Sequence, residues 1–254
     1  MRKKIKKVTK KEAKLIEEKK TIKDGDHTNI IVYSGGYDST LVIHELLTRY
    51  PKTHFTIVGY NTNYFNPKKN RAENLYREKY IDYLYNEAKI CNFNYVKIDS
   101  EKFNNSYDKL TPFRDGGLVQ QPYFVFMTSY FAPTKINHIF TGFHNGDCYF
   151  NWRDSFDSII KAMSEIMGKE LYYHHPLAKT DKFEIIKAIQ TAGLEEFCFT
   201  CENPGGYFES CGECKPCTEL IMAKKRISHS RRKKIDVNLI FDLKTFEDYW
   251  ENNK

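Results

Sequence analysis

The chain has 254 residues, of which 41% are hydrophobic and 29% charged, with a formal net charge of +7. That composition belongs to folded globular proteins and suffices for one substantial core with a small appendage. No apolar run approaches the ~18–20 residues of a membrane span. The charged start Met1-Arg2-Lys3-Lys4 has no apolar stretch behind it, so no secretory signal is expected and a cytoplasmic location follows.

Residues 1–25 read as a polar helical extension, with ten Lys or Arg in the first twenty positions. The run reads as a solvated basic face rather than a nucleic-acid contact, although phosphate binding would need the same residues. Asn29–Tyr33 is a short apolar strand that ends at Ser34-Gly35-Gly36. Behind it, Leu41, Val42, Leu46 and Leu47 recur at helical spacing from Asp38 to Arg49. A second strand is expected at Phe55–Tyr60 and a long helix over residues 68–90, with Leu75, Ile81, Leu84 and Ala88 facing inward. Phe93–Ile98 reads as a third strand, Asp99–Gly117 as an irregular loop, and residues 120–132 as an apolar helix. His138–Gly142 and Leu171–Tyr173 are the fourth and fifth strands. Helices are expected over 152–168 (inner face Phe156, Ile159, Ile160, Met163, Ile166) and over Lys182–Ala192.

Strands alternating with helices predict an α/β fold: a five-stranded parallel sheet with helices on both faces. Ligands in such sheets bind outside the carboxyl ends of the strands. The expected organisation is a basic extension (1–25), an α/β domain (26–197) that holds the glycine turn, a cysteine-rich C-terminal subdomain (198–234) and a tail (235–254).

Ser34-Gly35-Gly36-Tyr37-Asp38-Ser39-Thr40 lies at a strand-to-helix junction. Two glycines allow a sharp turn and close approach of backbone to an anion. The helix start offers free N–H groups and a positive dipole end, and Ser34, Ser39 and Thr40 add hydroxyls. The Lys of the G-x-x-x-x-G-K-[ST] loop is missing, and so is the third glycine of the dinucleotide fingerprint. A capped turn without ligand is the plain alternative. The full string S-G-G-x-D-S, however, resembles the signature of the PP-loop ATP pyrophosphatases, so ATP binding is expected here.

The seven cysteines are unevenly spread. Cys201-x9-Cys211-x2-Cys214-x2-Cys217 puts four within seventeen residues. Overlapping C-x-x-C units with a glycine at Gly212 suit a closed structural Zn²⁺ site, and this stretch has little apolar core of its own. An iron–sulfur cluster, or Cys198 in place of Cys201, are the alternatives; spacing favours zinc and Cys201. Cys198, Cys91 and Cys148 read as small buried hydrophobes.

The two signatures in this order resemble the 7-cyano-7-deazaguanine synthase family of queuosine-precursor enzymes. Thr141-Gly142, Asp147, Arg153-Asp154, Pro176-Leu177, Lys182 and Glu184-Ile185-Ile186 fit the same family, and the likeness spans roughly residues 28–226. The resemblance implies a ligase that adenylates 7-carboxy-7-deazaguanine, releases pyrophosphate, and couples the product to ammonia, giving an amide and then a nitrile. It implies Ser34, Gly35, Gly36, Asp38, Ser39, Thr40 and Gly142 at the ATP, with Asp38, Ser39 and Lys182 acting in catalysis. Asp38 would help to hold Mg²⁺, and Lys182 or Lys179 would offset charge on the phosphates. Zinc would sit on Cys201, Cys211, Cys214 and Cys217, and such proteins are often homodimers. The chain departs from the family's Tyr-Gly-Gln-Arg-His-like string at Tyr60-Asn61-Thr62-Asn63-Tyr64, and from its Gly-Arg-Asn string at Val119-Gln120-Gln121-Pro122. A paralogue acting on another carboxylate, a tRNA-modifying PP-loop enzyme and a zinc-stapled interaction protein are therefore the competing readings.

Overall fold

In this computed structural model, residues 27–61, 66–99, 120–229 and 235–252 are described. The expected N-terminal helix, nearly all of the loop expected at 99–117, Thr62–Tyr64 and the basic run Arg231–Lys234 lie outside the described residues.

Apolar and β-branched runs form five strands: β1 His27–Tyr33, β2 Phe55–Asn61, β3 Phe93–Asp99, β4 Ile136–Phe140 and β5 Glu170–His174. All pair in parallel, in the order β3-β2-β1-β4-β5. The order reverses direction at β1, so connections leave β1 and β4 toward opposite sides of the sheet. That divergence opens a crevice at their carboxyl ends.

Alternate residues of the strands serve opposite faces. Ile31, Tyr33, Phe55, Ile57, Phe93 and Phe140 pack beneath helices α1 (Tyr37–Arg49) and α2 (Pro67–Asn86). On the other face Ile30, Val32, Val58, Tyr60 and Ile139 meet Phe124 of α3 (Gln120–Phe131). A short turn, α4 (Cys148–Asn151), leads into α5 (Arg153–Met167), whose Phe156 and Ile160 join Val125, Phe143 and Tyr149 on that second face. Helix α6 (Lys182–Ala192) begins with a capping box in which Asp181 accepts from the Glu184 N–H and Glu184 accepts from the Asp181 N–H. Its Ile185, Ile186 and Ile189 enter the first core. Helix α7 (Lys215–His229) packs on α6. The last described stretch, ending in α8 (Lys244–Asn252), adds Ile240, Phe241, Leu243 and Phe246 to that same core.

Local details differ from the periodicity. Helix α2 stops at Asn86, because Lys89 takes a left-handed φ of 56° and the chain turns into β3. Ala88 therefore falls outside the helix, and Leu75 is exposed. Ile159 and Ile166 of α5 are also exposed, so only Phe156, Ile160 and Met163 form its buried stripe. Cys198 is buried, as its type suggests, but Cys91 is exposed. Cys91 stands in the irregular turn just before β3, outside the packed elements.

Candidate active site

The crevice at the carboxyl ends of β1 and β4 has a volume of about 420 Å³ and is lined by both connecting loops, α2 and the C-terminal cysteine segment. That volume lies within the range of small-molecule sites.

Its first wall is the loop after β1. Gly35 has a φ of +90°, and a Cβ there would stand 2.9 Å from the Glu73 carbonyl oxygen. The turn therefore requires glycine both for its dihedral and for its contact with α2. Ser34 and Ser39 hydroxyls lie 3.0 Å apart, and Ser39 Oγ also accepts from the Ser34 N–H at 3.2 Å. Helix α1 starts at Gly36 without a side-chain cap, so its first N–H groups remain available to an anion. Gly142, after β4, has no unusual dihedral. A Cβ there would lie 2.7 Å from the Ser39 nitrogen, so glycine is what lets the two loops touch.

On the same wall Lys182, the first residue of α6, holds the Asp38 carboxylate by both oxygens, at 2.8 and 2.5 Å. The β4 loop adds Asp147, whose carboxylate accepts from the His144 N–H at 2.8 Å. Burial pushes the Asp147 carboxyl above its usual range, against the pull of His144. Thr141 Oγ1 meets His175 Nδ1 at 2.7 Å, and His175 Nε2 meets the Tyr149 hydroxyl at 3.0 Å. Burial pulls His175 down to about 4, so this relay runs through a neutral ring.

The second wall is made of charges and sulfur. Lys69 of α2 is only 9% exposed and lines the crevice. Its ammonium meets Glu202 at 2.6 Å and Glu73 at 3.7 Å. Burial pulls Lys69 down, but the two carboxylates outweigh it and hold the ammonium above its ordinary value. Burial likewise pushes the Glu73 carboxyl up, opposed by Lys69 and Arg77. Arg77, one more turn along, is 1% exposed and donates to the Ser34 carbonyl at 3.0 Å and the Tyr60 carbonyl at 3.2 Å.

The sulfur atoms of Cys201, Cys211, Cys214 and Cys217 all lie within 4.8 Å of one another. Backbone N–H groups point at them: Cys211 donates to Cys201 Sγ at 3.2 Å and Cys214 to Cys211 Sγ at 3.3 Å. The N–H groups of Cys214 and Glu213 pull the Cys211 thiol down to about 6, while burial pushes Cys201 and Cys217 up. Four thiolates in this cage would repel one another without a cation, and four sulfur donors suit a soft or borderline metal. The cluster is therefore fit to hold a metal such as zinc. Cys198 is not among these ligands; its thiol meets the Leu194 carbonyl at 3.4 Å instead.

The structure thus gathers Ser34, Gly36, Asp38, Ser39, Gly142 and Lys182 on one crevice, with Gly35 shaping its loop. Thr40 is fully buried and does not line the crevice; its N–H closes the first helical turn on the Gly36 carbonyl at 3.0 Å. Lys179 is exposed and pairs with Asp242 away from the crevice. Lys69, Glu73, Arg77 and Glu202 were not expected. The spacing 69, 73, 77 puts three charges on one helical face, the one sequence signal that would have found them.

Compared with known proteins, residues 28–226 match the model of the family described as queuosine biosynthesis protein QueC. No curated protein matches the chain. Among the described residues, no helix is long and apolar enough to cross a membrane.

Proposed function

The chain belongs to the queuosine biosynthesis protein QueC family, and from that premise we propose that it is an ATP-dependent ligase that turns 7-carboxy-7-deazaguanine into 7-cyano-7-deazaguanine. The observation that carries this reading is the uncapped start of α1, set against the Lys182–Asp38 pair in one crevice at the switch point of the sheet.

The acceptor carboxylate attacks the α-phosphorus of ATP, and pyrophosphate leaves. The Ser34–Ser39 loop receives the leaving group: its N–H groups and hydroxyls meet charge that grows as the bond breaks. Lys182 adds a positive charge on the same side. Asp38 and Asp147 offer hard carboxylate oxygens that would hold Mg²⁺ brought in with the nucleotide, where it would offset phosphate charge. Ammonia then attacks the acyl adenylate, giving the amide and AMP. A second activation of the amide oxygen by ATP, followed by loss of AMP, leaves the nitrile. Cys201, Cys211, Cys214 and Cys217 would hold Zn²⁺ with four sulfurs, and the metal would then keep the second wall in shape rather than meet substrate.

The test is pyrophosphate release from ATP and Mg²⁺ with 7-carboxy-7-deazaguanine and ammonia. Release that depends on both, with nitrile as product, is expected. Release with other carboxylates but not this one would assign the chain to a different acceptor.

A further inference from the structure

The sulfur cluster and the phosphate loop are joined by a continuous line of charges, half-exposed at Glu202 and buried at Lys69 and Arg77. Glu202 follows the ligand Cys201. Its N–H points at Cys214 Sγ (3.4 Å), and its carbonyl accepts from Asn66, the N-cap of α2, at 2.8 Å. The backbone of Glu202 is thus fixed by the sulfur cage on one side and by a helix start on the other. Its side chain reaches Lys69, and the line continues along α2 through Glu73 to Arg77. Arg77 ends it at the carbonyl of Ser34, inside the phosphate loop, and at that of Tyr60, at the end of β2. The same helix touches the loop a second time, where Gly35 packs on the Glu73 carbonyl. Packing runs alongside: Phe199 donates its N–H to the Gly35 carbonyl at 2.9 Å and sits with Ala72, Cys201 and Cys217 in one small core.

We propose that Glu202 is a positioning residue, through which the four-cysteine centre sets the shape of the nucleotide loop by way of Lys69, Glu73 and Arg77. The reading rests on the ATP site proposed above and gives a part to residues to which that proposal assigns none. Two physical facts support it. A buried charge is costly to leave without a partner, and Lys69 is buried although Glu202 is half-exposed. Lys69 has two carboxylates and little water, so its position follows theirs. A charged group that donates to a loop carbonyl also fixes the peptide plane that follows it, here the Ser34–Gly35 peptide, whose direction decides where the next N–H groups point.

A direct phosphate contact by Lys69 makes the opposite forecast. If Lys69 simply bound phosphate, removing its partner Glu202 would free it and tighten binding. If the line positions the loop, losing either end loosens binding.

The experiment measures the affinity of a non-hydrolysable ATP analogue with Mg²⁺ by calorimetry, on metal-loaded full-length protein. Glu202→Gln, Lys69→Met and the double variant are compared, with Glu196→Gln, a surface pair to Lys79, as control. Each single variant should weaken binding about tenfold, the size of one charge-assisted contact, with metal content retained. The double variant should be no weaker than the worse single one. Unchanged affinity in Glu202→Gln, effects of opposite sign, or additive losses would overturn the proposal. A second readout needs no substitution: amide hydrogen exchange at residues 34–39 with the metal bound and after chelation. Faster exchange there, with β2 and β3 still protected, supports the linkage, and unchanged exchange there defeats it. If the unmodified protein binds no analogue, the ATP reading fails, and the exchange measurement decides the linkage alone.

Discussion

The two walls of the crevice are built on different principles. The wall after β1 and β4 is backbone and short side chains: two serines, glycines at 35 and 142, and the bare start of α1. It is complete in the folded chain, because its groups satisfy one another or are left pointing outward for an anion. The opposite wall is four thiols and a row of charges centred on the buried Lys69, and its parts repel or strand one another unless all are in place. The lesson is that the first wall tolerates the loss of a ligand, while the second tolerates the loss of nothing. The first should respond to substitution mainly in catalysis, the second mainly in stability.

The largest effect should come from breaking the second wall. Cys214→Ser removes one ligand and should cost several kcal/mol, on the order of the loss of a structural metal. Thermal unfolding with metal analysis checks this; full stability with three sulfurs would erase the contrast between the walls. On the first wall, Lys182→Met should slow pyrophosphate release by about 10²–10³, the scale of losing one electrostatic contact to developing charge. Circular dichroism should show the chain still folded, and an equal collapse in structure would make Lys182 a structural residue. Gly142→Ala pushes a methyl against the Ser39 nitrogen. It should destabilise by ~1–3 kcal/mol and weaken nucleotide binding, and denaturant unfolding with calorimetry reads both.

The smallest effect belongs to neither wall. His138 and His174 touch through Nδ1 and Nε2 at 3.0 Å beside β4 and β5, and burial pulls both down to about 3. Folding therefore favours the neutral rings. That stability is fully present above the unfolded value near 6.5 and is lost as pH falls toward 3. Between pH 6.5 and 5.5 each histidine should cost about 1 kcal/mol, seen as a falling midpoint in denaturant. His138→Gln should flatten the slope, and an unaltered slope would locate the acid sensitivity elsewhere.

What the sequence made legible follows the same division. The first wall is local: Ser34 to Ser39 are consecutive, and strand, turn and helix are readable from apolar spacing. The Cys spacing is nearly as local, and it singles out the four cysteines that the fold brings together, Cys201 among them and Cys198 not. Arg77 was hidden, because arginine ordinarily lies at the surface, and only the carbonyls at the ends of β1 and β2 explain its burial. The Lys69–Glu202 pair spans 133 residues of chain, so no window could join them. Leu75, Ile159 and Ile166 misled for the opposite reason: they keep the helical period, but among the described residues no element covers them.

The strand order also has a consequence for how the molecule comes into being. β1 pairs with β2, its next neighbour in sequence, and on its other edge with β4, where Ile30 lies opposite Ile139. Closing that second ladder joins segments more than a hundred residues apart, a slow step in loop-closure terms. During synthesis the glycine turn therefore emerges long before Gly142 and Lys182 exist to face it. A nascent chain holds the turn but has no crevice, and the nucleotide binding proposed for that crevice would arrive only with the last third of the protein. Refolding followed by nucleotide fluorescence should accordingly lag behind the formation of β1, β2 and β3.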